Sequence, residues 1–199
     1  MTGLRPAATR LFLVRHGETA WNAQDRLQGT VDVPLNDTGR AQATRLARYF
    51  AGRPLDAVYS SDLRRAATTA RAIARAAGTT VREWALLRER QFGVWEGLTG
   101  AELAREHDRA ADAAGVPLAE TRAQQAERAR LLLAFAVAGW ERGAIAAVSH
   151  EGFIKQCLLA VLGLGPEERR GVAVGRGSVS LLEHQAGVWR PVFLNHIPE

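Results

Sequence analysis

The chain has 199 residues and a mass of 21.6 kDa, which suits a single domain spanning residues 1–199. Hydrophobic residues make up 47% and charged residues 24%, as in ordinary folded domains, and the single cysteine, Cys157, excludes an intrachain disulfide and a cysteine-rich metal site. No apolar run approaches the roughly 18 residues that a membrane span needs, so we expect no membrane partner and a cytoplasmic location.

The charge balance is basic. The chain has 26 basic and 21 acidic residues, a net charge of +5, and nearly all of the basic residues are arginine. This balance fits an anionic partner, either a phosphorylated metabolite or a nucleic acid, although a biased coding sequence explains it equally well. Basic and aromatic residues form no interleaved stripe, so we expect no nucleic-acid partner.

Strands and helices alternate along most of the chain. Short apolar runs predict the strands, and apolar residues at helical spacing predict the helices. We expect Asp37 to cap the first helix, and the run Ser60, Ser61 and Asp62 to cap the second. In chain order the predicted elements are a strand at Arg10–Val14, a helix at Asp37–Ala51, a strand at Leu55–Tyr59, a helix at Leu63–Ala77, a strand at Thr79–Trp84, helices at Thr99–His107 and Thr121–Glu141, a strand at Ala144–Ser149, a helix at Gly152–Leu162, and strands at Ser178–Glu183 and Val188–Leu194.

This alternation is typical of an α/β fold, and we expect a three-layer α/β/α sandwich with a mostly parallel central sheet. The segment from roughly 99 to 141 is expected to form a helical cap, with a loop at Arg109–Ala119. In sheets of this kind the ligand binds beyond the carboxyl ends of the strands.

Three polar clusters follow predicted strands at that edge. Arg15 and His16 follow the first strand, Arg64 and Arg65 open the helix after the second, and His150 opens the helix after a later one. One strand-end histidine alone is more often structural than catalytic. Two histidines with arginines at one sheet edge suit a phosphoryl group, because guanidinium groups neutralise its charge and an imidazole can accept it.

The clusters lie within a longer series of motifs: LVRHGETAWN at 13–22, RLQG at 26–29, DVPLNDTGRAQA at 32–43, AVYSSDLRRAATTA at 57–70, LRERQFGVWEG at 87–97 and VSHEGFI at 148–154. In kind, order and spacing this series resembles the histidine phosphatase superfamily, also called the phosphoglycerate mutase-like family. The resemblance spans almost the whole chain, and it implies that family's sandwich fold and phosphoryl-transfer chemistry.

The resemblance also implies a role for each matching position. His16 matches the nucleophile that becomes phosphohistidine, and Glu89 matches the general acid, which needs burial to raise its pKa. Arg65, followed by Ala66, matches the conserved pocket arginine, and Arg64 is the variable position beside it. No metal or cofactor is implied, and a two-histidine zinc site is a much weaker alternative. The phosphate pocket would be formed by Arg15, Asn22, Gln28, Arg65 and His150.

Glu151 departs from the pattern, because relatives usually have glycine beside the second histidine. A carboxylate that pointed into the pocket would repel phosphate, whereas at the start of a helix it favours the helix dipole. We therefore expect Glu151 to face outward, and we keep it among the candidate substrate-binding positions because its charge bears on substrate preference. The role of His196 near the chain's end stays open between packing and the site.

Three functions are compatible with these residues. The favoured one is a metal-independent phosphatase acting on a small phosphorylated metabolite, such as a sugar phosphate, a phosphoglycerate derivative, phosphoserine or α-ribazole phosphate. The alternative is a bisphosphoglycerate-dependent phosphoglycerate mutase, whose relatives are usually longer and carry extra basic segments. A non-catalytic binding protein is the least favoured, because every catalytic position is filled. A homodimer is one candidate assembly.

Overall fold

The structure is a computed structural model that describes residues 8–106 and 116–199. Within these ranges six strands form one sheet in the order β3-β2-β4-β1-β5-β6. The four strands β3, β2, β4 and β1 run parallel, and β5 and β6 continue the sheet antiparallel, so the prediction of a mostly parallel sheet is confirmed. The strands are β1 (Thr9–Arg15), β2 (Ala57–Ser60), β3 (Val81–Glu83), β4 (Ala144–Ser149), β5 (Val179–Gln185) and β6 (Val188–His196).

Helices cover both faces of the sheet. They are α1 (Ala20–Ala23), α2 (Asp37–Phe50), α3 (Arg64–Ala77), α4 (Gly100–Glu106), α5 (Arg122–Gly139) and α6 (Glu151–Leu162). One core cluster joins α2 and α3 to the sheet, and a second cluster joins α5 and α6 to its other side. The predicted three-layer α/β/α sandwich is therefore confirmed.

The strand β4 explains why the sequence of a central strand is a continuous apolar run. It lies between β2 and β1, and all six of its residues are buried. Ala146 and Val148 pack toward α2 and α3, whereas Ile145 and Ala147 pack toward α5 and α6. A strand covered on both faces needs apolar side chains at every position rather than at alternate ones.

Two predicted helix caps are wrong in detail. Asn36, not Asp37, caps α2, because its Oδ1 accepts a hydrogen bond from the amide of Gly39 at 2.8 Å. Before α3, the hydroxyl of Ser61 accepts from the amide of Leu63 at 3.3 Å, as the predicted capping run allows. The first amide of the helix itself, that of Arg64, donates to Oδ1 of Asp32 at 2.7 Å, while Asp62 pairs with Arg88. Asp32 lies 32 residues away in sequence, so only the tertiary fold provides this cap.

The segment predicted as a cap contains α4 and α5. α5 packs against the sheet beside α6 through Ala129, Leu132 and Ala136. Much of the predicted loop at Arg109–Ala119 lies outside the described residues, so the helical cap stays a prediction. None of the helices in the described ranges has the length and apolarity that a membrane crossing requires.

Candidate active site

A cleft of about 710 Å³ opens at the carboxyl ends of β1 and β4. The three strand-end clusters meet there, as the parallel order of these strands predicts. All eight residues selected from the sequence line this cleft: Arg15, His16, Asn22, Gln28, Arg65, Glu89, His150 and Glu151.

His16 follows β1 and is buried at the base of the cleft. Its Nδ1 lies 2.6 Å from the carbonyl oxygen of Gly17, and because that oxygen can only accept, Nδ1 carries the proton and Nε2 keeps its lone pair. Burial, followed by the charges of Arg65 and Arg15, holds the pKa of His16 well below its ordinary value. His16 is therefore neutral at physiological pH, in the tautomer that a nucleophilic Nε2 requires.

The glycine after His16 is needed for a close approach between two backbone segments. A Cβ at Gly17 would lie 2.3 Å from the carbonyl oxygen of Gly39 in α2. Only a residue without a side chain fits there, which is the physical reason for glycine in the motif that follows β1.

His150 directly precedes α6 and faces His16, with the two ring centroids 4.9 Å apart. Nε of Arg65 donates to Nδ1 of His150 at 3.2 Å, so the His150 proton lies on Nε2. That Nε2 is buried and has no hydrogen-bond partner within the described ranges. Burial, then the charge of Arg65, holds the pKa of His150 well below its ordinary value. His150 thus presents a neutral, unpaired N–H donor.

Arg65 is fully buried at the start of α3. Its two Nη atoms each donate at 2.7 Å, to the carbonyl oxygens of Val31 and Gly29. Burial lowers the pKa of Arg65 to about 10, so the side chain still carries its charge at neutral pH. The neighbouring Arg64 is exposed and does not line the cleft, which agrees with the choice of Arg65 over Arg64 from the sequence.

The expectation that Glu151 faces outward is wrong. Its Oε2 lies 2.9 Å from Nη1 of Arg15 inside the cleft, and its Oε1 lies 2.8 Å from Nζ of Lys155, one helical turn further on. Burial raises the pKa of Glu151, but Arg15 and Lys155 outweigh this effect and hold the pKa below its ordinary value. The nearly buried Arg15 cation needs a counter-charge, and this attraction decides the orientation of the Glu151 side chain.

Glu89 is held at the start of α6 by three N–H donors. Its Oε1 accepts from the amide of Arg90 at 2.8 Å and from Nε2 of Gln125 at 2.9 Å, and its Oε2 accepts from the amide of Gly152 at 2.8 Å. The carboxylate therefore caps α6, for which His150 provides no side-chain cap. A Cβ at Gly152 would lie 2.3 Å from Oε1 of Glu89, so this approach requires glycine.

Asn22 and Gln28 are fixed by Thr19, the cap residue of α1. Oδ1 of Asn22 accepts from the amide of Thr19 at 3.1 Å, and Oε1 of Gln28 accepts from the Thr19 hydroxyl at 2.9 Å. The amide NH2 groups are thereby left as the donors that Asn22 and Gln28 can offer to an anion in the cleft.

The family model of the histidine phosphatase superfamily (branch 1) matches residues 11–197. The chain belongs to this superfamily. A glucosyl-3-phosphoglycerate phosphatase of Mycolicibacterium vanbaalenii is 36% identical over 192 residues, which cover 87% of this chain and 83% of that protein. A probable phosphoglycerate mutase of Yersinia enterocolitica is 32% identical over 188 residues, which cover 90% and 87%.

The relationship extends to three dimensions. The solved native structure of a mycobacterial glucosyl-3-phosphoglycerate phosphatase matches with a TM-score of 0.85 and 31% identity, covering 94% of this chain and 99% of that one. The predicted superfamily, its fold and an enzyme of the phosphatase class within it are confirmed by these relatives.

Several residues that line the cleft of this histidine phosphatase were missed in the sequence. Gly152 lines the cleft and, with Gln125 behind it, orients Glu89. Arg176, the middle residue of a Gly-Arg-Gly sequence that predicts only a turn, pairs with Glu18 at 2.7 Å. Arg122 and Arg169 also line the cleft, and no sequence signal separates them from the many surface arginines. His196 packs on Tyr49 and Phe193, with ring centroids 5.4 and 5.8 Å away, and does not line the cleft.

Among the residues that the structure describes, no group of three or more His, Cys, Asp or Glu side chains is placed to hold a metal ion. Cys157 is buried among apolar residues of α6, and this burial raises the pKa of its thiol to about 12. The interpretation of Cys157 as a small core residue rather than a nucleophile agrees with this position.

Proposed function

We propose that the protein is a metal-independent phosphatase of small phosphomonoesters that works through a phosphohistidine on His16. The observation that carries the proposal is the pair of complementary tautomers. His16 offers an unprotonated Nε2, while His150 offers an unpaired Nε2–H 4.9 Å away between ring centroids. Arg15 and Arg65 add two permanent charges beside the pair. A nucleophile, a hydrogen-bond donor and two cations are what an in-line phosphoryl transfer needs.

In the first step Nε2 of His16 attacks phosphorus, and the bond from phosphorus to the ester oxygen breaks. Arg15, Arg65 and His150 would stabilise the charge on the three other phosphoryl oxygens. Glu89, in its protonated form, would give its proton to the leaving oxygen, so that the alcohol departs neutral. The products of this step are the alcohol, phosphohistidine and an ionised Glu89.

In the second step water attacks phosphorus, and the bond from phosphorus to Nε2 of His16 breaks. Glu89 would take a proton from that water, which returns both residues to their starting states and releases inorganic phosphate. The three N–H donors hold the Glu89 carboxylate in one position, which the base of this second step requires.

The alternative is a phosphoglycerate mutase, and the 32% identity to a probable phosphoglycerate mutase is the observation in its favour. A mutase would use the same pocket but would have to protect the phosphohistidine from water until a second substrate arrived. Over most of the chain, the identity to the glucosyl-3-phosphoglycerate phosphatase, 36% over 192 residues, exceeds the identity to this probable mutase, which favours hydrolysis. The same proposal includes a small phosphorylated metabolite as partner, a cytoplasmic location and a homodimer.

The test is hydrolysis of p-nitrophenyl phosphate and a panel of metabolite phosphates in excess EDTA, beside a phosphoglycerate mutase assay. Glucosyl-3-phosphoglycerate belongs in the panel because it is named for the mycobacterial relatives. We expect phosphate release that survives EDTA and is lost in His16→Ala with an unchanged circular dichroism spectrum. Interconversion of 2- and 3-phosphoglycerate without phosphate release would support the mutase instead. Activity that survives in His16→Ala would contradict both.

A further inference from the structure

The guanidinium of Arg65 is fully buried, yet no carboxylate in the described ranges forms an ion pair with it. Its side-chain partners there are Nδ1 of His150 and the carbonyl oxygens of Val31 and Gly29. A buried cation is unfavourable unless dipoles or nearby charges compensate it. The charge of Arg65 therefore has to be offset by dipoles and by carboxylates that do not touch it.

The peptide unit between Gly29 and Thr30 connects Arg65 to such a carboxylate. Its carbonyl oxygen belongs to Gly29 and accepts from Nη2 of Arg65 at 2.7 Å. Its N–H belongs to Thr30 and donates to Oε1 of Glu96 at 2.8 Å. The negative end of this peptide dipole thus faces the guanidinium, and its positive end faces the carboxylate. Hydrogen bonds in such a chain polarise and strengthen one another.

The Glu96 carboxylate is itself fixed. Its Oε1 also accepts from the Thr30 hydroxyl at 3.2 Å and from the amide of Phe92 at 3.1 Å. Gly29 leaves room for this oxygen, because its φ is +51° and a Cβ there would collide with Oε1 of Glu96. Glu96 directly follows the 3-10 helix Gly93–Trp95 and does not line the cleft. It can therefore act on a bound phosphoryl group only through other residues.

The charge of Glu96 also supports Arg65. Burial lowers the pKa of Arg65, and three carboxylates raise it, in the order Glu89, Asp32 and Glu96. In the proposed first step Glu89 is protonated and gives no counter-charge. Asp32 accepts from the amide of Arg64, whereas Glu96 bonds to the peptide unit that holds Arg65. Glu96 is thus the carboxylate that both balances and positions this cation.

We propose that Glu96 is a positioning residue for phosphoryl binding, which holds and electrostatically balances Arg65 through the Gly29–Thr30 peptide unit. Glu96 contacts neither the substrate nor the reacting atoms. The inference rests on the proposed function, in which Arg65 binds the phosphoryl oxygens. Loss of Glu96 should therefore weaken the binding of a phosphate-like anion, and it should do so only while Arg65 is present.

Calorimetry with orthovanadate, a phosphate-like anion, tests this role without turnover. We expect Glu96→Met, which removes the acceptor, to weaken binding about tenfold. Glu96→Gln should weaken it about threefold, because a neutral amide oxygen is a weaker acceptor than a carboxylate. In an Arg65→Met background, Glu96→Met should change the affinity by less than about twofold, since the residue through which Glu96 acts is gone. Arg65→Lys is the second background if Arg65→Met does not fold, and there too the effect of Glu96→Met should shrink.

The matched control is Asp56→Asn. Oδ2 of Asp56 also accepts from a backbone amide, that of Ala144 at 2.8 Å, but at the opposite end of the sheet from the cleft. This substitution should leave vanadate affinity unchanged. A merely structural role of Glu96 would weaken vanadate binding equally with and without Arg65, and that result would overturn the proposal. Unchanged affinity in Glu96→Met would overturn it as well.

The binding measurement separates this inference from hydrolysis. A loss in Glu96→Met that disappears in Arg65→Met would support the role of Glu96 even if the native enzyme released no phosphate. Phosphate release by the native enzyme, together with equal losses in both backgrounds, would reject the inference and leave the phosphatase proposal standing. A native protein that binds no orthovanadate would reject the phosphate pocket and this role of Glu96 with it.

Discussion

Nε of Arg65 lies 3.2 Å from Nδ1 of His150, and this one contact sets the proton position on the second histidine of the site. A guanidinium can only donate, so Nδ1 must accept and Nε2 must carry the hydrogen. In the proposed reaction, Arg65 would therefore act on a bound phosphoryl group in two ways, through its own charge and through the donor that it creates on His150. The carbonyl oxygens of Val31 and Gly29 fix Arg65 in turn.

Arg65→Lys should be far from conservative. A lysine has no N–H group that can replace the Nε–H of Arg65 toward Nδ1 of His150. Its single ammonium group also cannot reproduce the planar pair of hydrogen bonds to the carbonyl oxygens of Val31 and Gly29. We expect kcat/KM for p-nitrophenyl phosphate to fall by about 10² to 10³, and the free energy of unfolding to fall by roughly 2 kcal/mol or more, because buried acceptors lose their donors. Arg64→Lys is the control, since Arg64 is exposed beside it. Similar effects of the two substitutions would contradict the assigned role.

Gly152→Ala should affect catalysis without destabilising the helix. Alanine favours a helix by about 1 kcal/mol over glycine, but its Cβ would lie 2.3 Å from Oε1 of Glu89 and would displace that carboxylate. We expect kcat to fall about 10²-fold for alkyl phosphates and less for p-nitrophenyl phosphate, whose leaving group needs little protonation. Gly171→Ala, where a Cβ meets open space, should leave kcat unchanged. An equal loss on both substrates would argue against Glu89 as the acid.

Removing the Glu151 carboxylate should shift substrate preference toward more anionic esters. Glu151 offsets the charges of Arg15 and Lys155, so its loss makes the cleft more cationic beside Arg15, one of the proposed phosphate ligands. We expect Glu151→Gly and Glu151→Gln to raise the kcat/KM ratio of bisphosphates to monophosphates about fivefold, as roughly 1 kcal/mol for a partly exposed pair implies. Glu183→Gln, which breaks the distant pair with Arg10, should leave the ratio unchanged. Relative rates that stay the same in both Glu151 variants would refute this expectation.

The two buried histidines should make stability depend on pH on the acid side of neutrality. The pKa of both His16 and His150 lies well below the ordinary value in the folded protein. Below about pH 6.5 the unfolded chain therefore binds protons that the native state does not, so stability falls as the pH falls. We expect a loss of about 1 kcal/mol for each histidine between pH 6.5 and 5.5, with a slope that approaches about 1.4 kcal/mol per pH unit at lower pH.

Urea unfolding at several pH values measures this slope. His150→Gln removes one of the two groups, so its free energy of unfolding should fall less steeply over the same range. An identical slope in the native protein and in His150→Gln would show that other groups cause the acid sensitivity.

Much of the site could be predicted from the sequence because its residues follow strands that end at one sheet edge. The buried runs that end at Arg15 and at Ser149 are local features, and parallel order alone brings His16 and His150 together. Helix ends that depend on local turns were also predictable, as at Gly78, which ends α3 with a left-handed backbone. The motif series then identified the superfamily before any contact was known.

What the sequence could not determine were the interactions between distant segments. The orientation of Glu151 depends on the nearly buried cation of Arg15 in β1. The position of Glu89 depends on Gln125 in α5 and on the absence of a side chain at Gly152. The sequence does not distinguish Arg169 from the surface arginines, whereas in the folded protein its Nε is buried beside the cleft. Periodicity and motifs reflect local backbone preferences and strand order, whereas side-chain direction follows from electrostatic and steric contacts that only the tertiary structure creates.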